Sequence, residues 1–136
     1  MQTVLLIEDS RFLRIANERL LAKAGYRVIS AEDGEEALRK IHLDREHPDI
    51  ILLDMMMPKM SGPEVLKALK RDPATARIPV IVLTSLSQKN EAKLLSEGAA
   101  AYIEKSRLQG SLKPLLNAIE KLTSAAREQL KSGSNG

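Results

Sequence analysis

Short apolar blocks alternate with longer amphipathic stretches along the whole chain. This alternation is typical of repeated βα units built around a parallel sheet. Most of the apolar blocks are continuous, as in strands that helices cover on both faces. The five predicted strands are Thr3–Ile7, Tyr26–Ala31, Asp49–Leu53, Pro79–Leu83 and Ala100–Ile103. The pattern predicts a single α/β domain, a (βα)5 doubly wound parallel sheet, with the alternating second strand and the short, alanine-rich fifth strand at its edges.

Capping residues mark where the predicted helices begin and end. Asp33 is followed three positions later by Glu36, and Ser61 by Glu64, which is the spacing of a capping box. The other predicted boundary residues are Ser10 and Ser87 at helix starts and Gly25 and Gly98 at helix ends.

The composition is that of a globular domain. With 136 residues, 43% of them hydrophobic, the chain can bury a core of its own. The absence of cysteine excludes disulfide frameworks, thiolate metal sites and cysteine nucleophiles. The first apolar run stops at Glu8 and no run approaches the ~18 residues of a membrane span, so a cytoplasmic protein without membrane insertion is predicted. Residues 1–131 are predicted to form the domain, and residues 132–136 are interpreted as a flexible tail.

The charge is distributed unevenly along the chain. Residues 1–68 carry 10 basic and 12 acidic side chains, a net charge of −2, whereas residues 69–136 carry 11 and 6, a net charge of +5. Nucleic-acid binding favours clustered basic residues with stacking aromatics, but the only aromatic residues are Phe12, Tyr26 and Tyr102. The basic half is therefore interpreted as a solvated face, and no direct nucleic-acid partner is predicted.

Polar side chains follow four of the five predicted strands. The four strands are followed by Glu8 and Asp9, by Asp54, by Thr84 and Ser85, and by Glu104 and Lys105. Right-handed crossovers make all strands parallel, so their carboxyl ends converge on one edge of the sheet, where ligands bind in such folds. Taken singly, each of these residues could be an ordinary turn residue. Their recurrence at four strand ends predicts a functional site at that edge.

Three carboxylates at that edge would repel one another. Glu8, Asp9 and Asp54 are predicted to lie within a few ångströms, and folding alone gains nothing from their repulsion. Mg²⁺ resolves it, because this hard cation takes oxygen ligands and is typically held by one or two carboxylates together with a phosphate. Lys105 adds an ammonium group and Thr84 a hydroxyl, each able to contact an anionic oxygen. The set describes a phosphoryl-transfer site in which Asp54 is the candidate nucleophile.

Four motifs occur in a specific order: Glu8-Asp9 after an apolar strand, Asp54-Met55-Met56-Met57-Pro58 followed by Ser61-Gly62, Thr84-Ser85, and Lys105 after Tyr102-Ile103-Glu104. From Thr3 to about Leu122 the chain resembles the CheY-like receiver domains of two-component response regulators. The resemblance implies the strand order 2-1-3-4-5. It also implies a phosphorylation-dependent signalling switch rather than an enzyme with a separate substrate.

The resemblance further implies how the acidic residues act. Asp54 would accept a phosphoryl group from a histidine kinase or phosphotransfer protein. Asp9, Asp54 and the backbone carbonyl of Met56 would hold Mg²⁺, and Glu8 would hold a water molecule of the metal.

Three residues on the later strands would respond to the phosphoryl group. By the same resemblance, Thr84 and Lys105 would contact its oxygens, and Tyr102 would turn inward as Thr84 shifts. This rotation would change a surface of the C-terminal half that regulates a downstream protein, so that a new anion biases a two-state element.

The sequence departs from the family pattern next to the site. Ser106 follows Lys105, where the family usually has proline, which is expected to make the lysine loop less rigid. Met56 and Leu86 place bulky apolar side chains near the acceptor and near Thr84. Because both would restrict attacking water, a slowly hydrolysing phosphoryl-aspartate is predicted.

Two other functions remain open at this point. A magnesium-dependent phosphohydrolase would use a second acid two residues after Asp54, a position that Met56 occupies. A receiver-like adaptor would act by protein binding without phosphorylation. The presence of all five residues of the phosphoryl-transfer site disfavours this function; they are Glu8, Asp9, Asp54, Thr84 and Lys105. His42 and His47 are interpreted as surface residues. The downstream partner is expected on the basic C-terminal face near Lys105, Arg107 and Lys113, unless the chain is the receiver part of a longer protein.

Overall fold

The computed structural model describes residues 2–43, 46–54, 62–84, 95–96, 98–108 and 111–134. Five strands form one sheet: β1 (Thr3–Ile7), β2 (Arg27–Ala31), β3 (Ile50–Asp54), β4 (Val80–Thr84) and β5 (Ala101–Glu104). All neighbouring strands are parallel, in the order β2-β1-β3-β4-β5. The described helices are α1 (Arg11–Lys23), α2 (Gly34–His42), α3 (Gly62–Arg71) and α4 (Lys113–Ser134), with a 3₁₀ helix at Lys105–Leu108. The predicted fold class, the edge positions of β2 and β5, and the strand order implied by the resemblance are confirmed.

The core lies on both faces of the sheet, because successive side chains of a strand point to opposite faces. On β1, Leu5 and Ile7 belong to one buried cluster, whereas Val4 and Leu6 belong to the other. The first cluster includes apolar side chains of α2 and α3, and the second includes those of α1 and α4. Burial on both faces accounts for the continuous apolar runs of the central strands.

The register aligns the carboxyl ends of the strands at one edge of the sheet. Ile7 of β1 pairs with Leu53 of β3, so Glu8, which follows β1, lies at the level of Asp54, the last residue of β3. The last pair between β4 and β5 lies directly before Lys105. The predicted convergence of the strand ends is therefore confirmed.

Several strand boundaries differ by one residue from the prediction. β2 begins at Arg27 rather than Tyr26, because the Tyr26 N–H donates to the Leu21 carbonyl at 3.1 Å and so closes the end of α1. β3 ends at Asp54 and β4 at Thr84, one residue beyond the apolar blocks. The backbone ladder continues past the last apolar residue, since its hydrogen bonds do not depend on side-chain polarity. Three strands also begin one residue later than predicted: β3 at Ile50, β4 at Val80 and β5 at Ala101. β5 ends one residue later than predicted, at Glu104.

Two of the predicted helix caps are confirmed. Ser10 Oγ accepts a hydrogen bond from the Leu13 N–H at 3.3 Å, and Asp33 Oδ1 accepts one from the Glu36 N–H at 2.8 Å. Both bonds satisfy backbone donors that a helix leaves without partners at its first turn. The predicted caps Ser61 and Ser87 lie outside the described residues.

The last helix is longer than the apolar pattern indicated. α4 continues to Ser134 and so includes the first three residues of the segment that the sequence analysis set apart as a tail. The division of the chain at residue 131 stays a prediction. Within the described part of the chain, no helix combines the length and the hydropathy that crossing a membrane requires.

Candidate functional site

Three carboxylates meet at the carboxyl edge of the sheet. Glu8 and Asp9 follow β1, and Asp54 is the last residue of β3. Each offers an oxygen, and these oxygens all lie within 4.8 Å of one another. Glu8 and Asp54 are buried, with 3% and 4% of their surface exposed, whereas Asp9 is exposed. The predicted carboxylate cluster is present, open to solvent on the side of Asp9.

Lys105 brings a positive charge to this cluster from the end of β5. Its Nζ lies 3.2 Å from Asp54 Oδ1 and 3.8 Å from Glu8 Oε1. The lysine side chain is about one-third exposed, whereas both carboxylates are buried. One ammonium group thus faces two buried acids, so the cluster has more negative than positive charge.

The excess of negative charge affects the buried carboxyl group of Glu8 most strongly. Burial raises the pKa of the Glu8 carboxyl to about 8, the hydrogen bond and negative charge of Asp54 act in the same direction, and Lys105 opposes them. Glu8 Oε2 is buried without a hydrogen-bond partner among the residues described. An unpaired buried carboxylate oxygen beside two more acids is costly for a protein without a cation. Because the donors are all hard oxygens, the set fits Mg²⁺.

The turn between β1 and α1 is held by a residue that the sequence analysis did not identify. Arg14 Nη1 on α1 donates a hydrogen bond to the backbone carbonyl of Glu8 at 3.0 Å. On the other side, the Glu8 N–H donates to the carbonyl of Ala31, also at 3.0 Å. No sequence signal marks Arg14, since an arginine on an amphipathic helix normally indicates a solvated side chain.

Of the remaining predicted site residues, Tyr102 is fully described, whereas Thr84 is described in its backbone alone. Thr84 is the last residue of β4, but its side chain lies outside the described part of the structure. Met56 and Leu86 also lie outside the described residues. Tyr102 lies on β5 opposite Val82, half-buried against the core cluster shared with α2 and α3.

The two histidines do not lie at the carboxylate edge. His42 is the last residue of α2, and its Nε2 lies 2.5 Å from Asp72 Oδ2, just after α3. His47 lies in the α2–β3 connection, where its side chain is exposed. The site therefore contains carboxylates and a lysine, and the described metal-binding group includes neither histidine.

Known proteins resemble the chain over most of its length. The family model "Response regulator receiver domain" matches residues 4–117. The gliding motility regulatory protein of Myxococcus xanthus is 41% identical over 121 residues, which are 88% of this chain and 15% of that protein. The polar-differentiation response regulator DivK of Brucella anthropi is 39% identical over 106 residues, 76% of this chain and 84% of that protein.

Solved structures resemble it as well. Response regulator TrrA of Thermotoga maritima, whose structure is a complex with Mg²⁺ and BeF, has a TM-score of 0.77 and 30% identity. The match covers 90% of this chain and 99% of that one. Among the curated relatives, the chain spans 15% of the Myxococcus protein and about half of several transcriptional regulators. The family model alone covers most of the chain, and the predicted resemblance is confirmed: this chain belongs to the family of response regulator receiver domains.

Proposed function

We propose that the chain is a signalling switch in which Asp54 accepts a phosphoryl group from the phosphohistidine of a histidine kinase or phosphotransfer protein. The observation that carries this proposal is the position of Asp54, buried at the sheet edge with Lys105 Nζ at 3.2 Å and two further carboxylates beside it. Family membership supports phosphorylation-based signalling in general terms.

The transfer exchanges one bond to phosphorus for another. A carboxylate oxygen of Asp54 forms a P–O bond while the P–N bond to the donor imidazole breaks. The electron pair of the broken bond stays on the imidazole nitrogen, and the product is an acyl phosphate at Asp54. The chain has no substrate other than its own side chain, so it acts as a phosphoacceptor rather than an enzyme with a separate substrate.

The acidic residues would hold Mg²⁺ at this edge. Asp9 and Asp54 would bind it directly together with the backbone carbonyl of Met56, and Glu8 would bind a water of the metal. When bound, Mg²⁺ supplies positive charge that neutralises both the carboxylates and the phosphoryl oxygens.

Lys105 and Thr84 would bind the transferred group. The Lys105 ammonium, already beside Asp54 Oδ1, would contact a phosphoryl oxygen, because charge-assisted hydrogen bonds to anionic oxygens are the strong ones. Thr84, the last residue of β4, would contribute its hydroxyl. Tyr102, two strand positions before Glu104 on the neighbouring β5, would then turn inward and alter the surface that binds a downstream protein.

The test is the intact mass of the chain after incubation with acetyl phosphate, with and without Mg²⁺. The wild-type chain should gain one phosphoryl group only with Mg²⁺, and Asp54→Asn should gain none. Asp72→Asn is a matched control, because Asp72 contacts His42 away from the carboxylate cluster and should leave the gain unchanged. No adduct under any condition would overturn the proposal and favour the adaptor that acts by protein binding alone.

A further inference from the structure

The turn between β1 and α1 carries two of the three carboxylates but belongs to neither element. β1 ends at Ile7 and α1 begins at Arg11, so Glu8 and Asp9 lie in the short connection between the strand and the helix. Asp9 is the exposed member of the carboxylate cluster. Its carboxylate is therefore placed by the backbone of this turn rather than by packing around the side chain.

Two hydrogen bonds fix the Glu8 backbone on its two sides. The N–H donates to the Ala31 carbonyl on β2, and the carbonyl accepts from Arg14 Nη1, both at 3.0 Å. The carbonyl belongs to the peptide group that joins Glu8 to Asp9. Because a peptide group is planar, holding its oxygen also fixes the N–H and the Cα of Asp9. Arg14 thereby connects the position of Asp9 to the first turns of α1.

We propose that Arg14 is a positioning residue for the cation site, which holds the Glu8–Asp9 peptide so that the Asp9 carboxylate stays beside Asp54. The inference rests on the proposed function, because it takes the three carboxylates to bind a divalent cation. Arginine suits this role, since its planar guanidinium loses little freedom for each hydrogen bond it forms. Contacts that orient metal ligands are typically worth 10–100-fold in metal affinity.

The sign of the effect separates this role from a general effect of charge. Arg14 is a cation close to a cation site, so by Coulomb's law alone its removal would strengthen Mg²⁺ binding. Loss of a positioning contact would weaken Mg²⁺ binding instead. The two explanations therefore predict changes of opposite sign in the same measurement.

The experiment is titration of Mg²⁺ into the unphosphorylated chain by isothermal titration calorimetry, a readout that does not depend on phosphorylation. Arg14→Met keeps a long apolar side chain without a donor and should bind Mg²⁺ about tenfold more weakly. Arg14→Lys restores a donor and should recover most of the affinity. Arg11→Met removes the same charge from the exposed first residue of α1 and should bind Mg²⁺ at least as tightly as the wild type.

Each outcome has a definite meaning. Wild-type or tighter Mg²⁺ binding by Arg14→Met overturns the inference, and so does an equal loss in Arg11→Met. Should circular dichroism show that Arg14→Met does not fold, Arg14→Gln, whose amide is too short to reach the carbonyl, takes its place with the same expected loss. No Mg²⁺ binding by the wild-type chain would overturn the proposed cation site, and the inference with it, so the two failures are distinguishable.

Discussion

The Lys105 ammonium nitrogen lies 3.2 Å from a carboxylate oxygen of Asp54, although β5, which Lys105 follows, and β3, which ends at Asp54, are not neighbours. β4 lies between β3 and β5, so the lysine side chain reaches across the end of β4 to make this contact. The contact places a positive charge at the carboxylate that we propose as the phosphoryl acceptor.

Replacing Lys105 by methionine should slow phosphorylation of the chain by acetyl phosphate. A preorganised charge aimed at a reacting anionic group is typically worth about 100-fold in rate, and Met keeps the aliphatic length without the charge. The rate is measured from the intact mass over time. Lys113→Met, at the exposed start of α4, is the matched control and should leave the rate unchanged. A wild-type rate for Lys105→Met would contradict the assigned role.

The stability of the metal-free chain should depend on pH through Glu8. The folded-state pKa of about 8 lies above the ordinary value of 4.5, so the folded chain binds more protons between these values. The free energy of unfolding should therefore fall as the pH rises from 4.5 to 8 in the presence of EDTA. Urea unfolding across this range measures the dependence.

Two variants separate Glu8 from other acids in that experiment. Glu8→Gln keeps the shape without the titrating group and should flatten the dependence, whereas Glu35→Gln, at an exposed position on α2, should leave it unchanged. Saturating Mg²⁺ at pH 8 should restore stability to the wild-type chain, by about 2.7 kcal/mol at a hundred times the dissociation constant. A stability that rises from pH 4.5 to 8 without metal would contradict the role given to Glu8.

The phosphoryl group on Asp54 should be lost slowly. Met56 and Leu86 are predicted to exclude attacking water, and substitution by a polar or smaller side chain should admit it. Met56→Asn and Leu86→Ala should each shorten the half-life of the adduct several-fold, measured by intact mass after removal of the phosphodonor. Leu43→Ala, at an exposed position directly after α2, should not. Equal half-lives for all four chains would refute this prediction.

Two glycines with the same backbone conformation should differ in their tolerance of a side chain. Gly25 and Gly98 both have positive φ, at 101° and 112°, so alanine at either position should cost roughly 1–2 kcal/mol of stability. A Cβ at position 25 meets open space, but one at position 98 lies 2.8 Å from Lys70 Cγ. Lys70 cannot move freely, since its Nζ donates to two backbone carbonyls of the α3–β4 connection, at 3.2 and 2.9 Å.

The expected result is a larger loss of stability for Gly98→Ala than for Gly25→Ala, by about 1 kcal/mol if one Lys70 hydrogen bond breaks. Urea unfolding of the two variants measures the difference directly. Equal losses would show that Lys70 yields without cost. The pair thus tests whether Lys70 fixes the turn that leads into β5.

The sequence was sufficient to predict the sheet edge but not the contacts across it. Alternation of apolar and amphipathic segments predicts parallel strands, and the polar residues after those strands then have to meet. The partners of each strand cannot be derived in this way. Asp54 and Lys105 meet because only β4 lies between β3 and β5 in the sheet. The strand order that brings them together is implied only by the family resemblance.

Backbone contacts account for what the sequence did not predict. Arg14 acts on a carbonyl oxygen, which every residue has, so no side-chain pattern identifies its partner. The apolar alternation predicts the start of β2 one residue too early, because Tyr26 fits this alternation while its N–H closes the end of α1. Hydrophobic patterning reports burial, whereas both of these features are hydrogen bonds to backbone carbonyl oxygens.

The most direct test of the central claim is to identify which carboxylate carries the phosphoryl group. Borohydride reduces an acyl phosphate to an alcohol, which converts a phosphorylated aspartate into homoserine that peptide mass spectrometry can locate. After incubation with acetyl phosphate and Mg²⁺, we predict homoserine at position 54 and unchanged residues at positions 8 and 9. Reduction at position 8 or 9 with Asp54 intact, or no reduced residue in a chain that folds and binds Mg²⁺, would contradict the account.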